Sequence, residues 1–139
     1  MFSLLGLLGW VCFRGFQNDW PSGIVLLGAQ VIIAAGALFN LFHFAVLKRG
    51  AGNLGTPSML VTQGGLLPWV RHPMYLGESV LVLGFAILGT SMISSMFALM
   101  YIVSITRLCL AEDRSCSAQF PESFASWAHR SKRLIPAIW

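Results

Sequence analysis

Arg71-His72-Pro73-Met74-Tyr75-Leu76-Gly77-Glu78 gathers a cation, an imidazole, a phenol and a carboxylate within one short stretch. Such a set can hold an anion, orient a polar cofactor and move a proton. Proline is favoured in the first turn of a helix and biases the residue before it away from helical geometry. Arg71 and His72 are therefore expected just outside a helix that opens at Pro73. The free N–H groups of that first turn favour an anion, and Arg71 adds a full positive charge. Tyr75 and Glu78, three apart, share a helix face. Glu78 opens a run with no further charge until Arg107. A carboxylate inside a membrane is costly and is a functional hypothesis by default. The competing reading is an interfacial belt of snorkelling Arg, His, Tyr and Glu.

A second polar group follows the next apolar run. Glu112-Asp113-Arg114 stands where a helix would leave the membrane, and Phe120, Phe124 and Trp127 follow at spacings of four and three. Arg130, Lys132 and Arg133 then precede Leu134-Ile135-Pro136. The tail reads as an amphipathic interfacial helix with a basic end that meets anionic lipid headgroups. An active site on the same face is compatible with that role.

The elements that must position these groups follow from composition. The chain has 139 residues, 56% of them hydrophobic and 10% charged, against about 25% charged in an ordinary soluble domain. Lipid must be the solvent for much of it, and helices satisfy their own backbone groups there. The expected fold is an all-α integral membrane bundle of about four transmembrane helices with a cytoplasmic C-terminal amphipathic helix, in a single domain, 1–139. The spans are expected at about 1–16, 22–47, 73–88 and 92–108, the last two forming a hairpin that turns at Gly89-Thr90-Ser91. The first is short for a full crossing. Lys48, Arg49 and Arg71 fall in the 48–72 loop, and Arg107, Arg114, Arg130, Lys132 and Arg133 at the end of the fourth span and in the tail. The positive-inside rule puts that loop, the 109–139 tail and both termini in the cytoplasm. The net charge of +4 thus speaks for membrane lipids as a partner and not for nucleic acid.

Other polar positions read more plainly. Asn40 and His43, three apart near the cytoplasmic end of the second span, could line a cavity on that face, although a lone membrane histidine is more often a hydrogen-bonding packing residue. Gly50-Ala51-Gly52-Asn53-Leu54-Gly55 fits a dinucleotide fingerprint by letter but follows a membrane helix instead of a strand, so it reads as a loop. Cys12, Cys109 and Cys116 have no metal-ligand spacing, no metal site is expected, and His129 reads as an interfacial surface residue.

Arg71-His72-Pro73-x-Tyr75-x-Gly77 together with Glu112-Asp113, Phe120-Pro121, Phe124, Trp127, Arg133 and Leu134-Ile135-Pro136 resembles the isoprenylcysteine carboxyl methyltransferase and phospholipid methyltransferase superfamily. The resemblance covers roughly 60–139. It departs in Asp113, in Pro121, in the aromatic residues at 124 and 127 where relatives have tyrosine, and before the first motif. It implies an S-adenosylmethionine-dependent membrane methyltransferase whose acceptor is lipophilic or small: an isoprenylcysteine-like carboxylate first, a lipid amine or thiol next. By the same resemblance, Gly65, Val70, His72, Pro73, Tyr75, Gly77, Glu112 and Asp113 would border the cofactor. Arg71, Glu78 and Arg133 would act on the reacting groups, with Glu78 or His72 as the base for an amine. Two rivals remain at this point. Sterol reductases share a similar C-terminal pattern and bind NADPH, and a small four-helix transporter would use Glu78 as its proton-coupled site.

Overall fold

Lys48 and Arg49 close an otherwise charge-free helix, where cations meet the negative end of the helix dipole. In the computed structural model, which describes residues 23–51, 58–89 and 92–136, this is α1 (Gly23–Ala51). It is followed by α2 (Pro73–Gly89), α3 (Met92–Gln119) and α4 (Pro121–Arg130), with no strand longer than one isolated bridge among the described residues. The all-α expectation holds. The expected 1–16 span, residues 52–55 of the glycine-rich loop and the Thr90-Ser91 turn lie outside the described residues.

α1 and α3 are long and apolar enough to cross a membrane, whereas α2 has 17 residues. At about 1.5 Å per residue, α2 spans about 26 Å, slightly less than a hydrocarbon core of about 30 Å. Ile24, Leu27, Val31, Leu38 and Leu41 on α1, and Met92, Met96, Phe97, Met100 and Val103 on α3, are all exposed. Water would not tolerate such faces; lipid solvates them.

Because lipid removes the hydrophobic drive between helices, close van der Waals packing must hold α1 to α2. Glycine supplies it. A Cβ on Gly36 would lie 2.6 Å from the backbone nitrogen of Leu81, and one on Gly77 would lie 2.9 Å from the Phe39 ring and 3.1 Å from the Gly36 carbonyl. The two backbones therefore touch. Asn40 adds a hydrogen bond from Nδ2 to the Met74 carbonyl at 3.0 Å.

α3 does not stop at the expected membrane edge near 108 but runs on to Gln119. A lipid boundary is no helix breaker; the next one in the sequence is Pro121, which opens α4. Glu112 and Asp113 consequently ride on a rigid projecting stalk. α4 then turns Trp127 inward, and its indole Nε1 donates to the Leu67 carbonyl at 2.7 Å. Past α4, the tail pairs with the segment before α2. Lys132 N donates to Trp69 O at 2.8 Å, Arg71 N to Lys132 O at 2.7 Å and His72 N to Arg133 O at 3.0 Å, around a parallel Val70–Lys132 bridge.

The glycine contact yields a direct test. Gly36→Val is expected to destabilise the folded protein by about 1–3 kcal/mol or more through overpacking, read as a lower melting temperature in detergent. Gly28→Val, whose Cβ would meet nothing within 4 Å, should leave it nearly unchanged.

Candidate active site

Asp113 lies at the meeting point of three chain segments. Its Oδ1 accepts from His72 Nε2 at 2.9 Å, and its Oδ2 accepts from Arg133 Nε at 2.8 Å. Arg71 Nε is 3.4 Å from Oδ1. The Asp113 side chain is only 10% exposed, so a lone charge there would be expensive. Burial pushes its carboxyl up, but the Arg133 and His72 hydrogen bonds and the nearby Arg71 charge outweigh it and hold the group below the usual 3.8. Asp113 sits on the part of α3 that projects beyond the apolar run.

One residue earlier, Glu112 points the other way. It is 46% exposed, its Oε2 lies 3.3 Å from His72 Nδ1, and its Oε1 accepts a hydrogen bond from the Tyr75 hydroxyl. The His72 ring thus lies between two carboxylates and stacks near Tyr75, with ring centroids 5.8 Å apart. Deeper along α2, three residues past Tyr75, Glu78 Oε2 accepts from the Tyr101 hydroxyl of α3 at 2.9 Å. Both tyrosines pack against the apolar cluster of Ile105, Cys109 and Leu134. No ion pair reaches Glu78 among the described residues.

Beside Asp113 opens a cavity of about 540 Å³ lined by Arg71, Asp113, Arg114, Phe124 and Arg133, among others. Three guanidinium groups against one carboxylate leave it net positive. Arg71 is partly committed: its Nη1 donates to Ala128 O at 3.1 Å and to Ser131 O at 2.7 Å, the carbonyls at the end of α4. Its Nε, by contrast, is buried without a hydrogen-bond acceptor.

The expected site residues therefore fall into two groups. His72, Tyr75, Glu112, Asp113, Arg71 and Arg133 come together in one cluster. Gly65, Val70, Pro73 and Gly77 support it from behind: Val70 and Pro73 are fully buried, Gly65 abuts His43, and Gly77 abuts α1. The amides of Arg71 and His72, just before the helix, are taken by the tail carbonyls. Tyr101 is a participant that no motif marks. Arg114 and Trp127 take parts beyond those the sequence implies: Arg114 lines the cavity, and the buried Trp127 indole N–H, which needs an acceptor, finds the Leu67 carbonyl.

The model of the 3-oxo-5-alpha-steroid 4-dehydrogenase family matches residues 7–139, nearly the whole chain. The chain belongs to that family. Comparison with curated proteins and with solved structures returns no match. The family finding overturns the methyltransferase superfamily assignment, the methyltransferase activity and S-adenosylmethionine as the cofactor, and with them the methyl acceptors. The geometry supplies a physical reason. Asp113, expected to border that cofactor, is already engaged by His72 and Arg133. A net-positive cavity also repels a ligand whose net charge is positive. The motif match was real as a pattern of polar residues at a membrane face, but that pattern does not choose between a methyl donor and a hydride donor. The apolar helices and the family together make this a membrane protein.

A depressed carboxyl pKa contributes stability that is present above the unfolded value and lost as pH falls through the folded one. The melting temperature of the parent is expected to hold down to about pH 4 and to fall below it. Asp113→Asn should cost about 3 kcal/mol at neutral pH, and its gap from the parent should close on acidification.

Proposed function

With family membership as the premise, we propose that this chain is a membrane-bound oxidoreductase that reduces a carbon–carbon double bond conjugated to a ketone in a steroid-like lipid, with NADPH as the reductant. The observation that carries the reading is the net-positive cavity lined by Arg71, Arg114 and Arg133 next to the His72–Tyr75–Glu112 cluster. NADPH carries a pyrophosphate and a further phosphate, and arginine is the side chain best matched to phosphate oxygens.

NADPH, when bound, supplies the hydride that adds to the β-carbon of the enone. Arg114 and Arg133 would hold phosphate, with Arg133 kept in place by Asp113. His72, fixed between the two carboxylates, would border the nicotinamide end together with Tyr75. As hydride reaches the β-carbon, the double-bond electrons shift to the carbonyl oxygen, and a proton finally settles on the α-carbon. Two hydroxyl–carboxylate pairs can manage that proton, Tyr75–Glu112 at the aqueous end and Tyr101–Glu78 in the apolar layer. The deeper pair suits a ketone arriving from the bilayer, because a hydrogen bond in a low-dielectric site stabilises developing oxyanion charge most strongly. By the positive-inside argument the cofactor side is the cytoplasmic face, with the substrate reaching the site from the membrane.

Calorimetry on detergent-purified protein is the test. NADPH is expected to bind saturably and S-adenosylmethionine not at all, and Arg114→Ala should weaken NADPH about tenfold, the order of one charge-assisted hydrogen bond. Folded protein that ignores NADPH would contradict the proposal. For catalysis, Glu78→Gln or Tyr101→Phe should lower kcat for enone reduction by about 10²-fold or more while leaving NADPH affinity within about twofold.

A further inference from the structure

His43 lies on α1 only 1% exposed, yet both ring nitrogens are engaged. Nδ1 is 3.0 Å from the Phe39 carbonyl one turn back, and Nε2 is 3.0 Å from the backbone nitrogen of Leu66. An amide N–H can only donate, so Nε2 accepts, the ring proton sits on Nδ1, and Nδ1–H donates to Phe39 O. The Phe39 and Phe42 rings flank the imidazole at centroid distances of 4.3 and 5.0 Å. The orientation is therefore fixed from three sides.

What His43 holds is the turn that leads into the site. Gly65 has φ +54°, and a Cβ there would lie 2.5 Å from His43 Nε2. Only glycine allows both the left-handed backbone and the approach. Beyond Leu66, the turn closes on itself: Trp69 N and Val70 N both donate to Leu66 O, at 2.9 and 2.8 Å. Leu67 O takes the Trp127 indole at 2.7 Å. Val70, Arg71 and His72 follow without a break. One face of the turn is thus bound to a membrane helix, the other to α4, and the next residues carry the guanidinium and imidazole of the site.

We infer that His43 is a positioning residue: a hydrogen-bond latch by which membrane helix α1 holds the 64–72 turn, and through it Arg71 and His72, in register with Asp113 and the cofactor cavity. It touches neither cofactor nor substrate. The cofactor part of this inference rests on the reductase reading above; the latch itself does not.

The test separates the two. Backbone hydrogen–deuterium exchange over 64–72 is measured in the full chain, with NADPH affinity by calorimetry alongside. His43→Phe keeps the ring and removes the acceptor; His43→Gln returns an acceptor at comparable reach. The Phe variant should exchange about tenfold faster across 64–72 and bind NADPH about tenfold more weakly, as expected for one buried donor left without a partner. The Gln variant should recover most of both. Gly65→Ala, which pushes the turn off an intact His43, should reproduce the Phe variant and carries the test if that variant does not fold. Unchanged exchange in His43→Phe overturns the latch. So does equal damage in the Phe and Gln variants, which would make His43 a packing residue. If faster exchange comes with unaltered NADPH affinity, the latch stands and its link to the cavity is overturned. A parent that binds no NADPH overturns the reductase reading, and the exchange data then decide the latch by themselves.

Discussion

A single buried carboxylate organises the polar end of this protein. Asp113 is shared by His72, which opens α2, by Arg133, in the returning tail, and by Arg71, which caps α4. Remove its charge and two arginines are left facing each other across a half-dry space. The need to satisfy that carboxylate brings together segments separated by 41 and 20 positions in the chain. The backbone ladder between 69–72 and 132–133 follows the same joint. The geometry also assigns different work to the two acidic residues: Asp113 is occupied with structure, whereas the more exposed Glu112 is left at the rim with Tyr75.

Below that joint the protein is built to a different rule. α1 and α2 lie in backbone contact through Gly36 and Gly77, because in lipid only close packing and hydrogen bonds hold helices together. The start of α2 carries a buried His72 and a half-buried Tyr75, while Glu78 lies about one turn further along the helix, against Tyr101. On the proposed reductase reading, a water-soluble charged cofactor and a lipophilic substrate would meet at this end. The polar groups form a line along α2 and α3, from the arginine-lined cavity through His72 and Tyr75 to Glu78 and Tyr101.

Much of this was legible in the sequence. The apolar runs, Pro73 as a helix start and the aromatic spacing of 120, 124 and 127 pointed to helices and to polar groups on one side. Arg71, His72, Tyr75, Glu112, Asp113 and Arg133, all among the candidate residues, come together in the structure. Pairings were less legible. Nothing local shows that Tyr101 faces Glu78, that Trp127 reaches Leu67 or that His43 meets Leu66, since each contact depends on how helices cross and no periodicity encodes the partner. The choice of chemistry was not legible either: the polar motifs fit the methyltransferase superfamily and the sterol-reductase rival alike, and the family match favours the rival. What separates the two is the family match over residues 7–139, which no single motif carries.

The most direct measurement of the central claim is isotope transfer. Purified protein would be given NADPH deuterated at the nicotinamide C4 position together with a 3-oxo steroid bearing the adjacent double bond, and the extracted lipid analysed by mass spectrometry. The account predicts a product heavier by one deuterium and one solvent hydrogen, with the label on the β-carbon. Recovery of unreduced, unlabelled steroid from protein shown to be folded and to bind NADPH would contradict it.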